Sequence, residues 1–313
     1  MLRFTAIIFM ISAYLQVSAL PIRESLAVDI GGIKQWMSIS GADDKSPVLL
    51  FLHGGPGNSV MGYAESFTPE LQKHFVVVQW DQRGSGKTAT LNESDKPLTV
   101  ALMEEDATEV TRYLRNRFSK DKIYVMGHSW GGFLGLRLAA RHPEMLMAYI
   151  AVSPMVNQLE SERLSLEWMI NKATKEKNSV ALKELREVKI PFQNGEQLYY
   201  HRGWLSRLTG NSNKFPAKEF VVTWAEKWLP LFNEASAFNF FVTTPELKCP
   251  VYFFVGRLDY QTHFTLTEGY FNAVKASQKR LFWFEKSGHS PNTKEPGKFQ
   301  DIVIHTILPE TEN

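Results

Sequence analysis

The residues best suited to catalysis surround a serine. Residues 127–131 read Gly-His-Ser-Trp-Gly and fit the pattern G-x-S-x-G. At a sharp turn between a strand and a helix this spacing exposes the serine hydroxyl, and the glycines let neighbouring backbone pass closely. The backbone N–H of Trp130 then points at a developing oxyanion, beside the positive end of the helix. Ser129 is therefore predicted to be a nucleophile in acyl transfer.

A serine hydroxyl needs a base, and the base needs a group that orients it. Where the serine occupies such a turn, the chain order is serine, acid, histidine. Asp259 follows the apolar run 251–255, and His289 follows the next such run, 281–284. Both lie beyond the carboxyl ends of predicted strands, where open α/β sheets place their sites. We predict Asp259 as the orienting acid and His289 as the general base.

Two other residues compete for these roles. His263 lies just past the strand that should supply the acid, within the start of a predicted helix. Glu285 is too close in sequence to His289 to be the better orienting group. Both are less favourable alternatives.

The second oxyanion donor is expected after the first long apolar run, where residues 53–57 read His-Gly-Gly-Pro-Gly. Two glycines permit a backbone conformation that turns an N–H into the site. We assign that donor to Gly55, with Gly54 as the neighbouring alternative, and expect His53 to support the loop by hydrogen bonding.

Residues 84–88 read Gly-Ser-Gly-Lys-Thr and partly resemble the motif of a phosphate-binding loop. The pattern G-x-x-x-x-G-K-[ST] needs a glycine at position 81, which is Asp81. ATP use is therefore not expected, and nothing in the sequence implies a metal or another cofactor. Asp81 and Arg83 are interpreted as charges that organise loops beside the oxyanion site.

The elements that must position these residues are apolar runs alternating with helical patterns. Each run is continuous, as expected for strands buried on both faces of a parallel sheet. The runs are 47–52, 75–80, 123–126, 147–152, 251–255 and 281–284. Helices are predicted from Thr99, as N-cap, to Phe118 and from Trp130 to Arg141. This alternation predicts an α/β fold with a mostly parallel, doubly wound sheet.

The alternation of apolar runs and helical patterns stops over residues 155–245. This interval lacks a long β-branched run and carries four of the eight tryptophans. Helical charge patterning there predicts a mostly helical cap inserted into a core of residues 20–154 and 246–313. Most of its aromatic residues should form the cap's own core, and a few should line a pocket.

The N-terminus and the composition limit location and partners. Residues 1–19 have the charge, apolar run and small residues of a signal peptide cleaved after Ala19, which predicts export to the periplasm or the medium; an uncleaved anchor is the alternative. After cleavage no stable membrane span is expected.

A net charge of +2 without a basic run gives no reason to expect that the protein binds nucleic acid. The single cysteine, Cys249, cannot form an internal disulfide, and the sequon at 92–94 matters only in a eukaryotic secretory route.

With these motifs the chain resembles the proline iminopeptidase-like group of α/β-hydrolases. The likeness rests on the segments 53–57, 81–86 and 127–131, and on the order of Asp259 and His289. It implies the α/β-hydrolase fold, a Ser–Asp–His triad and oxyanion donors at Gly55 and Trp130. Members typically read G-G-S-W-G at the serine turn, whereas this chain has His128, and a glycine usual after H-G-G-P-G is Asn58.

The resemblance implies a small-molecule or short-peptide substrate, and family aminopeptidases hold its free amino group with glutamates. The possible counterparts here are Glu160, Glu162, Glu167, Glu226 and Glu234. An aminopeptidase for short peptides with N-terminal proline is the first functional hypothesis. An esterase or lactonase on small esters is the second, and a non-catalytic ligand-binding protein is the third. The oligomeric state is not predicted.

Overall fold

The computed structural model describes residues 20–92, 97–210 and 215–311. The predicted signal peptide, residues 1–19, lies outside the described residues. Two members of the sequon at 92–94, Glu93 and Ser94, also lie outside them. Among the described residues, no helix combines the length and the apolar character that a membrane crossing requires.

One eight-stranded sheet organises the described chain, and Glu246–Leu247 forms a separate parallel pair with Lys275–Ala276. The strands are β1 (Ile22–Ile30), β2 (Ile33–Gly41), β3 (Val48–Leu52), β4 (Val76–Asp81), β5 (Ile123–His128), β6 (Leu146–Val152), β7 (Glu246–Leu247), β8 (Val251–Gly256), β9 (Lys275–Ala276) and β10 (Lys279–Phe284). The order in the large sheet is β1-β2-β4-β3-β5-β6-β8-β10. All pairs from β4 to β10 are parallel, so the mostly parallel sheet expected from the sequence is confirmed.

The central strands contain apolar residues on both faces because helices cover both sides of the sheet. Every residue of β3, β4 and β8 is buried. Two apolar clusters form, one on each side of the sheet, so that neighbouring residues of a strand enter opposite clusters, as Leu49 and Leu50 do. Burial on both faces explains why the six core strands are visible in the sequence as continuous runs.

The edge hairpin β1–β2 is absent from the expectations drawn from the sequence. Its first strand alternates half-buried and exposed residues, and the hairpin pairs antiparallel with itself and with β4. An alternating edge strand has no continuous apolar run. The hairpin therefore lacks the sequence signal that identifies the core strands.

The helices complete the layers on the two faces and the insertion. They are α1 (Gly86–Leu91), α2 (Val100–Arg117), α3 (Trp130–Arg141), α4 (Gln158–Lys175), α5 (Ser179–Arg186), α6 (Gly195–Leu208), α7 (Lys218–Ser236), α8 (Phe240–Thr243), α9 (Phe264–Ala273), α10 (Pro291–Lys294), α11 (Pro296–Ile302) and α12 (Leu308–Thr311), with a π-helical turn at Val303–Ile307. Thr99 caps α2 by accepting the N–H of Leu102, as its position in the sequence predicts.

Helices α4 to α8 lie within the interval 155–245 that the sequence assigns to a cap. Part of this helical layer has its own small core, which includes Met169, Leu185 and Trp204. The layer contacts the loops that follow β3 and β4. Trp224 Nε1 donates to the carbonyl of Pro56 at 3.0 Å, and Lys227 Nζ donates to the carbonyl of Gly84 at 2.6 Å.

Candidate active site

Ser129 occupies a strained turn between β5 and α3. Its φ of 57° and ψ of −114° lie in a region that side-chain-bearing residues rarely adopt. Such strain costs about 1–3 kcal/mol and clusters at functional sites. The turn is held by hydrogen bonds from Ser129 N to Val152 O and from Phe133 N to Ser129 O, both at 3.0 Å. Ser129 therefore stands at the carboxyl end of a central strand with its position fixed by the backbone.

The two glycines of the serine motif are required by close backbone contacts. A Cβ added to Gly127 would lie 2.1 Å from the carbonyl oxygen of Gly131. A Cβ added to Gly131 would lie 2.0 Å from the carbonyl oxygen of Leu52, in the neighbouring strand β3. The spacing G-x-S-x-G thus follows from where backbones cross at this turn.

His289 and Asp259 form a hydrogen-bonded pair. His289 Nδ1 lies 3.1 Å from Asp259 Oδ2 and 3.2 Å from Oδ1. The carboxylate also accepts the N–H groups of Gln261 and Thr262 at 2.9 and 3.1 Å and the hydroxyl of Thr262 at 2.8 Å. Burial alone would raise the pKa of Asp259, but the charge of His289 and these hydrogen bonds hold it well below its ordinary value. Asp259 is therefore ionised while His289 uses Nδ1 to donate and leaves Nε2 for another partner.

The rivals considered from the sequence have other partners. Glu285 is exposed and pairs with Arg257 at 3.1 Å. His263 lies at the N-terminal end of α9, where its Nδ1 contacts the hydroxyl of Thr265 at 2.9 Å. Neither rival takes part in the pair formed by Asp259 and His289.

The serine turn and the histidine loop meet through the residue before the serine. His128 Nε2 lies 2.6 Å from the backbone oxygen of His289, and the two imidazole rings are 4.9 Å apart. On the other side, a Cβ added to Gly54 would lie 3.3 Å from Ser129 Cβ. Segments from three loops, after β3, β5 and β10, therefore converge around Ser129.

The loop predicted to provide the second oxyanion donor has the conformation that its glycines permit. Gly55 has a φ of 119° and Gly57 a φ of 89°. A Cβ on Gly57 would lie 2.3 Å from the Trp228 ring, so the helical insertion packs directly on this loop. Trp130, the other predicted donor, is the first residue of α3. The assignment of the oxyanion to the N–H groups of Gly55 and Trp130 stays a prediction.

His53 supports this loop through hydrogen bonds. Gln82 N donates to His53 Nε2 at 3.2 Å, so Nε2 accepts and Nδ1 donates to the carbonyl of Gly54 at 2.9 Å. Burial lowers the pKa of His53, which favours this neutral form. Gln82 also accepts from the Trp130 indole at 2.9 Å, and so connects both sides of the predicted oxyanion site.

Arg83 lies elsewhere than the sequence analysis expects. Its guanidinium binds the buried carboxylate of Asp106 on α2 at 2.7 and 2.8 Å, and the carbonyl of Gly31 at 2.8 Å. Arg83 therefore fastens the β1–β2 turn to α2, because the carboxylate that can neutralise it is on that helix. Asp81 stays within its own turn and accepts the N–H of Lys87 at 2.8 Å.

The candidate glutamates of the insertion have different surroundings. Glu160 and Glu167 pair with Arg163 on the surface of α4, Glu226 is exposed, and Glu234 accepts the N–H of Val100. Glu162 alone among the five is buried.

Glu162 belongs to a polar network between α4 and α6. It is held by both terminal nitrogens of Arg202 and by Gln158 Nε2 at 2.6 Å. Burial opposes its charge, but Arg202 and its other partners keep its pKa below the ordinary value. Gln158 Nε2 also donates to the carbonyl of Gln261 at 2.9 Å, two residues after Asp259. Glu162 is therefore connected to the loop that carries the acid.

Several of these residues escape analysis of the sequence. Gln82 and Arg202 act through hydrogen bonds between segments distant in the chain, and no local pattern reveals such partners. Only Thr262 has a local signal, since a threonine three residues after an aspartate can bond back to it. Within the described part of the chain, no group of three or more His, Cys, Asp or Glu side chains could hold a metal ion.

Known proteins share both this fold and its sequence pattern. A family model described as the alpha/beta hydrolase fold matches residues 47–190. The probable aminopeptidase YbaC of Bacillus subtilis (strain 168) is 32% identical, with 91% of this chain and 97% of that protein covered. The proline iminopeptidase of Heyndrickxia coagulans is 26% identical over 82% of this chain and 89% of its own length.

Among solved structures, the proline iminopeptidase of Mycobacterium smegmatis superposes with a TM-score of 0.67. The match covers 92% of this chain and 99% of that structure at 16% identity, so it shows the fold alone. The chain belongs to the α/β-hydrolase fold family. Its relatives are hydrolases that include aminopeptidases and proline iminopeptidases.

Proposed function

We propose that this protein is a serine hydrolase that removes an N-terminal proline, or a similar small residue, from short peptides and amides. The observation that carries the proposal is the hydrogen bond of His289 to buried, ionised Asp259, beside the strained turn of Ser129. The aminopeptidase relative, which is similar over almost its whole length, supports the substrate class.

The proposed reaction has two halves. His289 Nε2 takes the proton of Ser129 as the hydroxyl attacks the carbonyl carbon of the scissile amide. The N–H groups of Gly55 and Trp130 hold the negative oxygen of the tetrahedral intermediate. His289 then gives the proton to the departing amine, and an acyl group remains on Ser129. Water, activated by the same imidazole, attacks the ester and releases the acid.

Asp259 acts on His289 in two ways throughout the cycle. Its hydrogen bond keeps the Nδ1 proton on His289, so Nε2 is free to accept from Ser129. Its negative charge stabilises the imidazolium that forms as Ser129 attacks. The low pKa of Asp259 keeps that charge in place.

Glu162 is the carboxylate best suited to attract the substrate's amino group. It is buried, and the Gln158 bridge connects it to the acid loop. A carboxylate has about four acceptor directions, so its present partners leave capacity for another donor. Gln158 Oε1, buried and without a partner among the described residues, offers a second acceptor beside it.

An esterase for small esters is the second candidate, and the pairing of Glu162 favours it. Both terminal nitrogens of Arg202 bind that carboxylate, so its charge is already matched. A site with a neutralised carboxylate attracts a protonated amine less strongly than one with free charge. An ester substrate needs no such attraction, while the proposed steps at Ser129 would be the same.

The experiment is a comparison of prolyl arylamide, alanyl arylamide and short-chain aryl esters, each hydrolysed by wild type and by Glu162→Gln. We expect wild type to prefer the prolyl amide, and Glu162→Gln to lower the ratio of amide to ester rates at least tenfold. This ratio does not depend on the folded fraction, which matters because the substitution leaves Arg202 unmatched. Glu167→Gln, an exposed position on the same helix, is the matched control and should keep the wild-type ratio.

Two outcomes would redirect the proposal. Hydrolysis of the esters alone by wild type would establish the esterase and remove the aminopeptidase. A wild-type ratio in Glu162→Gln, together with prolyl preference, would keep the aminopeptidase and remove Glu162 as its amine-binding group.

A further inference from the structure

His128 precedes the predicted nucleophile and contacts the loop of the predicted base. Its Nε2 lies 2.6 Å from the backbone oxygen of His289. A carbonyl oxygen only accepts, so Nε2 of His128 carries the hydrogen and donates it. The imidazole rings of the two residues are 4.9 Å apart with an interplanar angle of 46°. His128 therefore holds both the backbone and the ring of His289.

The other ring nitrogen of His128 faces the loop after β3. Because Nε2 carries the hydrogen, Nδ1 of the neutral ring is an acceptor. A Cβ built on Gly54 would lie 3.2 Å from this Nδ1. The ring is thus enclosed between the predicted oxyanion loop and the histidine loop, with Ser129 as its neighbour in the chain.

We propose that His128 is a positioning residue, which fixes His289 relative to Ser129 by donating Nε2–H to its carbonyl and packing against its ring. The inference rests on the proposed function in that His289 is taken as the general base. It is independent of whether the substrate is an amide or an ester. A displacement of a reacting group by about 1 Å can lower the rate about 100-fold. A single hydrogen bond that fixes the position of His289 can therefore affect the rate of hydrolysis.

His128 cannot replace His289 as the base while it has this role. Its Nε2 is already used as a donor, and it does not contact the carboxylate of Asp259 in any hydrogen bond among the described residues. Burial lowers the pKa of His128 to about 4, and the nearby His289 acts in the same direction. His128 therefore stays neutral when His289 takes up a proton, and no second positive charge opposes that step.

The test separates the hydrogen bond from the packing with two substitutions. His128→Phe keeps a ring against His289 but removes the donor, whereas His128→Gln keeps an N–H near the original Nε2. We expect kcat of His128→Phe to fall at least tenfold, with KM within twofold of wild type. His128→Gln should recover to within about threefold of the wild-type kcat. Thermal unfolding of each variant shows whether the fold is retained.

A second readout does not depend on turnover. The proton that His289 Nδ1 shares with Asp259 should give a downfield proton NMR resonance in wild type and in His128→Gln. We expect this resonance to be lost or broadened in folded His128→Phe.

The proposal is overturned if folded His128→Phe keeps the wild-type kcat and resonance. It is also overturned if both variants lose activity only in proportion to a lost fold. If Ser129 itself proves dispensable for hydrolysis, the proposed function fails, and the resonance still decides whether His128 positions His289.

Discussion

Four donor groups converge on the carboxylate of Asp259, and they come from three residues. His289 supplies its ring nitrogen, Gln261 a backbone N–H, and Thr262 both an N–H and a hydroxyl. A carboxylate held by this many donors has one orientation and a stable charge. These contacts occupy Nδ1 of His289 and leave Nε2 for another partner.

Asp259→Asn should retain the shape of the site and remove its charge. The amide can also reverse the hydrogen bond to His289 and favour the wrong tautomer. We expect kcat to fall by about 10⁴-fold, as for comparable triads, with little change in thermal unfolding. Glu285→Gln, which changes the surface pair with Arg257, should stay within twofold of wild type in the same assay. Equal activity of Asp259→Asn and wild type would remove Asp259 from the mechanism.

His201 predicts a pH dependence of stability. It is buried, its Nε2 contacts the backbone oxygen of Glu162, and Arg202 lies 2.8 Å from its Nδ1. Burial lowers the pKa of His201 to about 4, against about 6.5 in an unfolded chain. Between these values the unfolded state binds the proton and the folded state does not, so stability rises with pH in this window and is lost as pH falls through it.

His201→Gln should remove that dependence. Denaturant unfolding at several pH values between 4.5 and 6 should show a slope of the unfolding free energy against pH that is smaller by about 1 kcal/mol per pH unit. The comparison uses slopes, so a change in overall stability from the substitution does not affect it. An unchanged slope would mean that His201 is protonated in the folded protein.

At the scale of elements, the sequence predicts what is buried on both sides and misses what is not. The six core strands and α3 were predicted at or near their observed bounds, because continuous apolar runs and the glycines of the serine turn are local signals. The β1–β2 hairpin has an alternating pattern at a sheet edge and was missed. The pair of Arg83 with Asp106 joins residues 23 positions apart on different elements, and no local pattern indicates it.

The serine turn itself should tolerate no added side-chain atom at Gly131. A Cβ there would lie 2.0 Å from the carbonyl oxygen of Leu52, and neither backbone can move without disturbing the β3–β5 pairing. Gly131→Ala should lower the free energy of unfolding by more than about 3 kcal/mol, measured by denaturant titration. A Cβ added to Gly297, in α11, would have no atom within 4 Å. Gly297→Ala should therefore leave the free energy of unfolding unchanged or raise it by up to about 1 kcal/mol. Comparable stability of the two variants would contradict the close crossing.

At the scale of the whole molecule, the helical insertion lies directly on the loops that carry the predicted oxyanion site. Trp228 contacts Gly57, and Trp224 and Lys227 bind the carbonyls of Pro56 and Gly84. Ser129 is only 5% exposed, so under the proposed mechanism substrate would enter beneath or beside this layer. The sequence predicts the helices of the insertion from their charge patterning. It does not predict which residues meet the core, because those contacts depend on how two separate segments pack.

The first 19 residues predict that the protein is exported and that its N-terminus is cleaved. Their short apolar run and small residues before Leu20 favour export and cleavage. Expression of the full chain in a secreting bacterial host should give an exported protein whose N-terminal sequence begins at Leu20. Replacing two isoleucines of the apolar run, Ile7 and Ile8, with arginine is the matched control and should retain the protein in the cytoplasm. A membrane-bound product that still begins at Met1 would support the uncleaved anchor instead.

The central claim is that Ser129 attacks the substrate, and the most direct measurement is the hydrolytic rate of Ser129→Ala beside wild type. Both proteins are assayed at equal folded concentration on the best substrate of the panel. The structure predicts a loss of kcat of at least about 10³-fold, because Ser129 supplies the hydroxyl at the strained turn and its neighbour His128 contacts the His289 loop. A loss of less than tenfold would contradict the nucleophilic role of Ser129 and the proposed serine mechanism with it.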